Sequence, residues 1–138
     1  KILIANLFVS TLVLGVMIMT QVVNYPLFLK IKKIDFGKYH HYYVSRITYV
    51  AGPLLLIELF LSFILFLSYN YMTYALNLIF VILVFLSTFL IQVPIHSKIG
   101  NTASQKFIKL LIKTNLIRTF LCTLKCILSY ALLTKEMI

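Results

Sequence analysis

The side chains in this sequence that could do chemistry are polar residues placed inside or beside long apolar stretches. Gln92 and His96 are four residues apart, and Asn115, Arg118 and Thr119 follow one another at three-residue and one-residue steps. Residues three or four apart share one face of a helix, so these groups predict polar stripes. Because amide and ionisable side chains are costly in lipid, such stripes indicate functional positions.

Further polar residues lie near the ends of the other apolar stretches. Gln21 and Asn24 close the first stretch, whereas His40 and Arg46 lie just before the second. Gln21, Asn24, Thr88 and Gln92, each taken alone, are better explained by hydrogen bonding between helices. Their concentration toward one end instead predicts a shared polar pocket. Its predicted lining is Gln21, Asn24, His40, Arg46, Gln92, His96, Asn115, Arg118 and Thr119.

Glu58 lies near the middle of the second apolar stretch, where a carboxylate must be protonated, paired or wetted. Arg118 is its expected partner, and the deeper Lys125 is the alternative. The pair would hold Arg118 in orientation at the ligand site. A buried pair that only sets helix register is an equally weighted interpretation.

The predicted pocket has the groups needed for acid–base chemistry. Arg118 and Asn115 could stabilise a developing oxyanion, and His96 or His40 could act as general base. His40, His41 and His96 are also residue types that ligate haem or metals. No haem or zinc spacing accompanies them, so we predict no metal site and keep haem or a quinone as the cofactors to consider.

The composition indicates what kind of structure must position these side chains. The chain has 138 residues, of which 62% are hydrophobic and 12% charged, whereas soluble domains carry about 25% charged residues. Four apolar stretches, at about residues 2–23, 47–69, 74–93 and 110–133, have the length of a membrane span. Backbone groups in lipid must be satisfied internally, so these stretches predict helices. We expect an all-α integral membrane four-helix bundle forming a single domain.

The two longer connections carry most of the charge. Residues 27–46 hold five cationic side chains and one aspartate, and residues 95–113 hold four cationic side chains. The positive-inside rule predicts that both connections are cytoplasmic, or on the equivalent organellar side, with both termini outside. The first connection predicts an interfacial amphipathic segment, and Gly100, Asn101 and Thr102 predict a turn. Residues 70–73 predict a tight turn between helices two and three.

Several function classes find no support. The net charge of +10 follows the membrane-flanking pattern rather than forming a separate basic module, so nucleic-acid binding is not expected. Cys122 and Cys126 lie within the last span without CxxC spacing and are interpreted as packing residues. No phosphate-binding glycine loop or hydrolase motif is present in the sequence.

The polar motifs resemble those of the anthrone-oxygenase-like family of small four-helix membrane proteins. The resemblance rests on the segment from Gln92 to His96 and on the segment from Asn115 to Thr119. The first half, with residues 21–26, Tyr39, His40, Arg46, Pro53 and Glu58, is similar to an uncharacterised bacterial branch of similar hydropathy. Leu116 replaces an aromatic residue expected after Asn115, and His96 stands where many relatives have asparagine.

The resemblance implies an oxygenase or oxidoreductase acting on an aromatic, lipophilic substrate, with His96, Asn115 and Arg118 near the reacting group. Our first hypothesis is therefore an oxidoreductase-like protein or a binder of a lipophilic aromatic or quinone-like molecule. The second is a non-catalytic accessory subunit of a larger membrane complex. A transporter is less favoured, because no inverted repeat is present and only Gly52 and Pro53 interrupt a span.

Overall fold

The computed structural model describes residues 1–69 and 71–137, with side chains up to Lys135. It contains four helices and, among the described residues, no strand. Helix α1 runs over Ile2–Phe28, α2 over Lys33–Ser68, α3 over Met72–Thr102 and α4 over Gln105–Met137. The predicted all-α, four-helix architecture is confirmed.

All four helices are long and apolar enough to cross a membrane. Large apolar side chains cover the outside of the bundle, and Phe8, Phe60, Phe89 and Phe120 are each more than 60% exposed. Surfaces of this kind are stable only against other apolar groups, which the acyl chains of a bilayer supply. The chain is therefore a multi-pass integral membrane protein with the lipid bilayer as its solvent.

The helices form a ring in which α1 and α3 each pack against both α2 and α4. Buried apolar side chains fill this ring in three layers along its axis. One layer, around Phe28, Phe36 and Leu111, lies at the end where α1 meets α2 and α3 meets α4. A second is centred on Val13 and Val84, and the third lies near the turn between α2 and α3. We call the end that holds the layer around Phe28, Phe36 and Leu111 the basic side.

Helices α2, α3 and α4 extend further at the basic side than the apolar stretches predict. The connection over residues 27–46, expected to be an interfacial amphipathic segment leading into helix two, is divided between the end of α1 at Phe28 and the start of α2, which begins at Lys33 and continues unbroken. With 36 residues α2 is about 54 Å long, well beyond the ~30 Å hydrocarbon core. Charged residues end an apolar stretch but not a helix, so the helices continue past the lipid.

The prediction that Gly100, Asn101 and Thr102 form a turn is wrong, because these residues are the last of α3. The chain turns at Ala103, whose φ of 47° is left-handed and whose N–H donates to the Ile99 carbonyl at 2.8 Å. A single left-handed residue commonly ends a helix in this way. At the opposite end α2 stops at Ser68 and α3 begins at Met72, as the predicted tight turn requires, although Asn70 lies outside the described residues.

Two π turns interrupt the α-helical pattern, at Thr20–Asn24 in α1 and at Thr88–Gln92 in α3. Each is followed two residues later by a proline, Pro26 or Pro94. The proline ring would clash with the carbonyl four residues earlier in a regular α-helix, and it supplies no N–H. The wider turn accommodates the ring while keeping the helix continuous, and such turns are frequent at functional sites.

Candidate functional site

A chain of hydrogen bonds connects α1, α2 and α3 near the basic side. His40 Nε2 lies 2.9 Å from His96 Nδ1, and His96 Nε2 lies 3.0 Å from the Tyr25 hydroxyl. The Tyr25 hydroxyl donates to Gln92 Oε1 at 3.4 Å. The Tyr25 hydroxyl thus lies between Gln92 and His96, and the directions of the two histidine hydrogen bonds depend on the tautomer of His96.

Arg118, on α4, makes further hydrogen bonds near the basic side. Its Nε and one terminal nitrogen donate to Asn115 Oδ1 at 3.0 and 2.7 Å, and its other terminal nitrogen donates to Thr88 Oγ1 at 3.2 Å. Asn115 lies one turn earlier on the same helix, so the spacing noted in the sequence places the amide directly against the guanidinium. The side chain of Arg118 is only 6% exposed.

Amide side chains tie these groups to neighbouring helices. Asn115 Nδ2 donates to Gln21 Oε1 at 2.7 Å, and Gln21 Nε2 donates to the Ile112 carbonyl at 3.2 Å. Gln92 Nε2 donates to Thr114 Oγ1 at 2.9 Å. These hydrogen bonds form two neighbouring groups, one holding the two histidines and the other holding Arg118, and all four helices contribute to the set. We call it the His–Arg cluster, and it comprises Gln21, Tyr25, His40, Thr88, Gln92, His96, Thr114, Asn115 and Arg118.

The His–Arg cluster forms one end of a cavity of about 720 Å³. Its polar lining at the basic side includes Tyr25, His40, Gln92, His96 and Arg118. The rest of the lining is largely apolar and comes from α1, α2 and α3, including Val16, Met17, Leu55, Leu56, Phe85 and Phe89. The volume is typical of a small-molecule site, and so is an apolar wall with a few convergent polar groups.

The charge of Arg118 has no carboxylate partner among the residues whose side chains are described. Its three hydrogen bonds use neutral acceptors, although a guanidinium has five N–H donors. Of the acidic residues with described side chains, Asp35 is exposed at the start of α2, and Glu58 is paired elsewhere. A buried cation without an anion is unfavourable, so an oxygen acceptor placed at this end of the cavity would be stabilising.

The structure brings most of the predicted site residues together. His40, Gln92, His96 and Arg118 line the cavity, while Gln21, Asn115 and Thr119 lie behind them. Thr119 Oγ1 accepts a 3.5 Å hydrogen bond from Asn115 Nδ2. His96 and Arg118 thus border one cavity, and the catalytic or binding roles assigned to these residues stay predictions.

Three further predicted residues lie away from both the cavity and the side chains directly behind its lining. Arg46 is exposed, and its guanidinium lies over the Tyr42 ring at 5.1 Å from the centroid. Asn24 is half-buried in the π turn of α1 and does not contribute to the lining. Glu58 belongs to a second polar network deeper in the bundle.

The expected pairing of Glu58 with Arg118 is wrong, and the alternative partner is the one found. Glu58 Oε1 lies 2.9 Å from Lys125 Nζ, with the two side chains 2% and 1% exposed. Lys125 Nζ also donates to Ser10 Oγ at 2.5 Å and to Asn6 Oδ1 at 3.5 Å. Lys125 is seven residues beyond Arg118 on α4, about 10 Å further from the basic side, which brings it level with Glu58.

Small polar residues complete this second network. Asn6 Nδ2 donates to Ser62 Oγ at 3.1 Å, Ser129 Oγ donates to Asn6 Oδ1 at 3.0 Å, and Asn77 Nδ2 donates to Ser129 Oγ at 2.9 Å. We call it the Glu–Lys network, and its members are Asn6, Ser10, Glu58, Ser62, Asn77, Lys125 and Ser129. None of them lines the cavity. The network joins all four helices and sets their register.

A repeated spacing in the sequence could have predicted the Glu–Lys network. Asn6 with Ser10, Glu58 with Ser62, and Lys125 with Ser129 are each four residues apart inside an apolar stretch. Each pair occupies one helix face, so three spans present matching polar steps. Tyr25, Thr88 and Thr114 were also missing from the predicted site. Thr88 lies on the same stripe as Gln92 and His96.

Metal-ligand side chains do not converge in the part of the chain that the structure describes, where no group of three His, Cys, Asp or Glu residues is found. His40 Nε2 and both ring nitrogens of His96 are engaged in hydrogen bonds. Cys122 and Cys126 are free thiols. Comparison of the chain with protein-family models, with curated proteins and with solved structures found no match.

Proposed function

We propose that this protein binds a lipophilic small molecule with an aromatic or quinone-like, oxygen-bearing head in the cavity at the basic side. The observation that carries the proposal is the buried guanidinium of Arg118, which lines a largely apolar cavity and has no carboxylate partner among the described side chains. A carbonyl or phenolate oxygen in the cavity would supply the missing acceptor. The apolar wall suits the remainder of such a molecule.

The neighbouring groups have distinct roles in this proposal. Arg118 holds the ligand oxygen, and its interaction is strengthened by the low dielectric of the site. Asn115 accepts two N–H groups of Arg118 and acts as a positioning residue. Because His96 contacts Tyr25 through Nε2 and His40 through Nδ1, the chain from Tyr25 through His96 to His40 can pass a proton between a ligand at the Tyr25 hydroxyl and the basic side. Oxidation or oxygenation of the ligand, which the resemblance to anthrone-oxygenase-like proteins implies, stays a prediction.

Filling the cavity without removing a polar group tests the proposal. Gly52 lines the cavity, and an added Cβ there would make only an ordinary 4.0 Å contact with Thr48. We expect Gly52→Leu to fold and to lose binding of menadione, measured as the saturable rise in unfolding temperature of the protein in nanodiscs. Gly15→Leu is the matched control, because Gly15 is exposed on α1 with open space around its Cα. It should bind menadione as the unaltered protein does.

A second variant addresses the polar end of the cavity. Arg118→Lys keeps the charge but removes the fork of N–H donors, so menadione should bind at least about tenfold more weakly. Equal binding by Gly52→Leu, Gly15→Leu and Arg118→Lys would contradict the proposal. No menadione binding by the unaltered protein, together with its purification in a much larger assembly, would favour the accessory-subunit hypothesis instead.

A further inference from the structure

A second, smaller hollow lies on the lipid-facing side of the bundle between α2 and α3. It has a volume of about 220 Å³ and is lined only by Leu59, Ile82, Phe85, Leu86, Phe89 and Leu90. Phe85 and Phe89 also line the large cavity. The two spaces are therefore neighbours that adjoin at Phe85 and Phe89. We call the smaller one the chain groove.

We infer that the molecule bound in the cavity carries a long hydrocarbon chain, that this chain lies in the chain groove, and that the molecule enters from the bilayer between α2 and α3. This inference rests on the proposed function, because it concerns the same ligand. It narrows the ligand class from a compact aromatic compound to a membrane-resident amphiphile with an oxygen-bearing head.

Exposure of the cavity rim supports lateral entry. Leu56 on α2 and Phe89 and Val93 on α3 line the cavity, yet are 61%, 61% and 50% exposed. They lie in the apolar parts of helices that span the membrane, so this opening faces acyl chains. A molecule already dissolved in the bilayer can reach the polar end without crossing water.

Polarity along the two spaces sets the orientation of the ligand. His96 and Arg118 lie at one end, whereas the chain groove has no polar lining residue. From His96 to Ile82 along α3 is fourteen residues, or about 21 Å by helical rise. That span is too long for a head group alone and suits a head followed by an extended chain running toward the membrane centre.

The energetic contribution of the chain should be modest. A hydrocarbon chain leaves lipid to enter the groove, so no apolar surface is removed from water and only van der Waals packing is gained. The head therefore supplies most of the affinity, and the groove supplies a preference among molecules that share the same head.

Two probes with one ring system test the inference. Menadione and its phytyl-bearing counterpart, phylloquinone, are compared in nanodiscs at matched mole fractions in the bilayer, with the shift in unfolding temperature as readout. We expect phylloquinone to bind about fivefold more tightly. Ile82→Phe, which narrows the chain groove, should abolish that difference and leave menadione binding unchanged.

Ile79→Phe is the matched control. Ile79 lies one turn earlier on α3, is 44% exposed against 42% for Ile82, and lines neither space. It should keep the fivefold preference. Equal affinities for both probes, or the same loss of preference in both variants, would overturn the inference while leaving the proposed function standing. Failure of both probes to bind would instead remove the proposed function. A change of oligomeric state in Ile82→Phe without any chain preference would assign the groove to a second copy of the protein and also overturn the inference.

Discussion

Arg118 and Lys125 are both buried cations on α4, but their surroundings differ. Lys125 meets the carboxylate of Glu58 and two further oxygen acceptors. Arg118 meets only neutral acceptors and borders the cavity. The compensated cation suits a structural role, whereas the uncompensated one suits ligand binding. This contrast between two residues separates the Glu–Lys network from the candidate site.

The ion pair predicts strong coupling between Glu58 and Lys125. Glu58→Gln and Lys125→Met should each destabilise the protein by about 3–5 kcal/mol, because each leaves the other charge buried and unpaired. The double variant should cost clearly less than the sum. Unfolding by sodium dodecyl sulfate, followed by circular dichroism, measures these free energies.

The control cycle pairs Glu58→Gln with Arg118→Gln. These two residues do not contact each other, so their effects should add to within about 0.5 kcal/mol. Additive effects for Glu58 and Lys125, or strong coupling in the control cycle, would return Arg118 to the role of ion-pair partner.

At the scale of the helices, the π turns of α1 and α3 position the His–Arg cluster. Each extra residue within a turn rotates the following side chains relative to an uninterrupted α-helix. In α1 the turn precedes Tyr25, and in α3 it precedes His96. The hydrogen bond between these two side chains thus joins segments that both follow a π turn.

A deletion tests whether Pro94 requires the π turn in α3. Removing the exposed Leu90 should convert the turn to a regular α-helix without rotating the segments on either side. With Pro94 present, the ring would then clash with a carbonyl, at a cost of about 3 kcal/mol. The deletion should therefore destabilise the unaltered protein by that much more than it destabilises Pro94→Ala. Thermal unfolding in detergent provides the comparison.

Deletion of the exposed Leu86 is the control, because it lies in the regular part of α3. It should rotate the rest of the helix by about 100° and be severely destabilising with either residue at position 94. If the Leu90 deletion lowers the stability equally with proline and with alanine at position 94, the π turn has a cause other than the proline ring.

At the scale of the whole molecule, four spans place both termini on one side of the bilayer and the connections at 29–32 and 103–104 on the other. The cavity lies toward that second side, where cationic residues are concentrated. The positive-inside rule predicts that this side is cytoplasmic, or its organellar equivalent. The orientation is a prediction from charge alone.

Thiol labelling tests the orientation. Met72 is 73% exposed. Met72→Cys should therefore react with a membrane-impermeant maleimide added to intact cells. Ile34→Cys and Gln105→Cys, also at exposed positions near the other connections, should react only after the cells are lysed. The unaltered protein, with Cys122 and Cys126 inside the span, is the unlabelled control. The reverse pattern would place the cavity opening on the outer side.

The number and type of the helices could be predicted from the amino-acid sequence. Apolar runs of spanning length leave no alternative to helices in lipid, and the polar stripes at His96 and Arg118 follow from helical periodicity. The same stripes predicted that polar groups would gather at one end of the bundle. Helix ends at the basic side were not predictable from hydropathy, because α2 and α3 remain helical after their apolar stretches end.

Which polar residues contact one another depends on how the helices pack, and the sequence pattern does not specify that. Arg118 and Lys125 were both reasonable partners for Glu58, and the choice depends on relative helix heights, which periodicity does not specify. The bond between Tyr25 and His96 likewise requires two π turns and the packing of α1 beside the other helices. The cavity has the same origin: it is space left between α1, α2 and α3, and a single helix contains no information about that space.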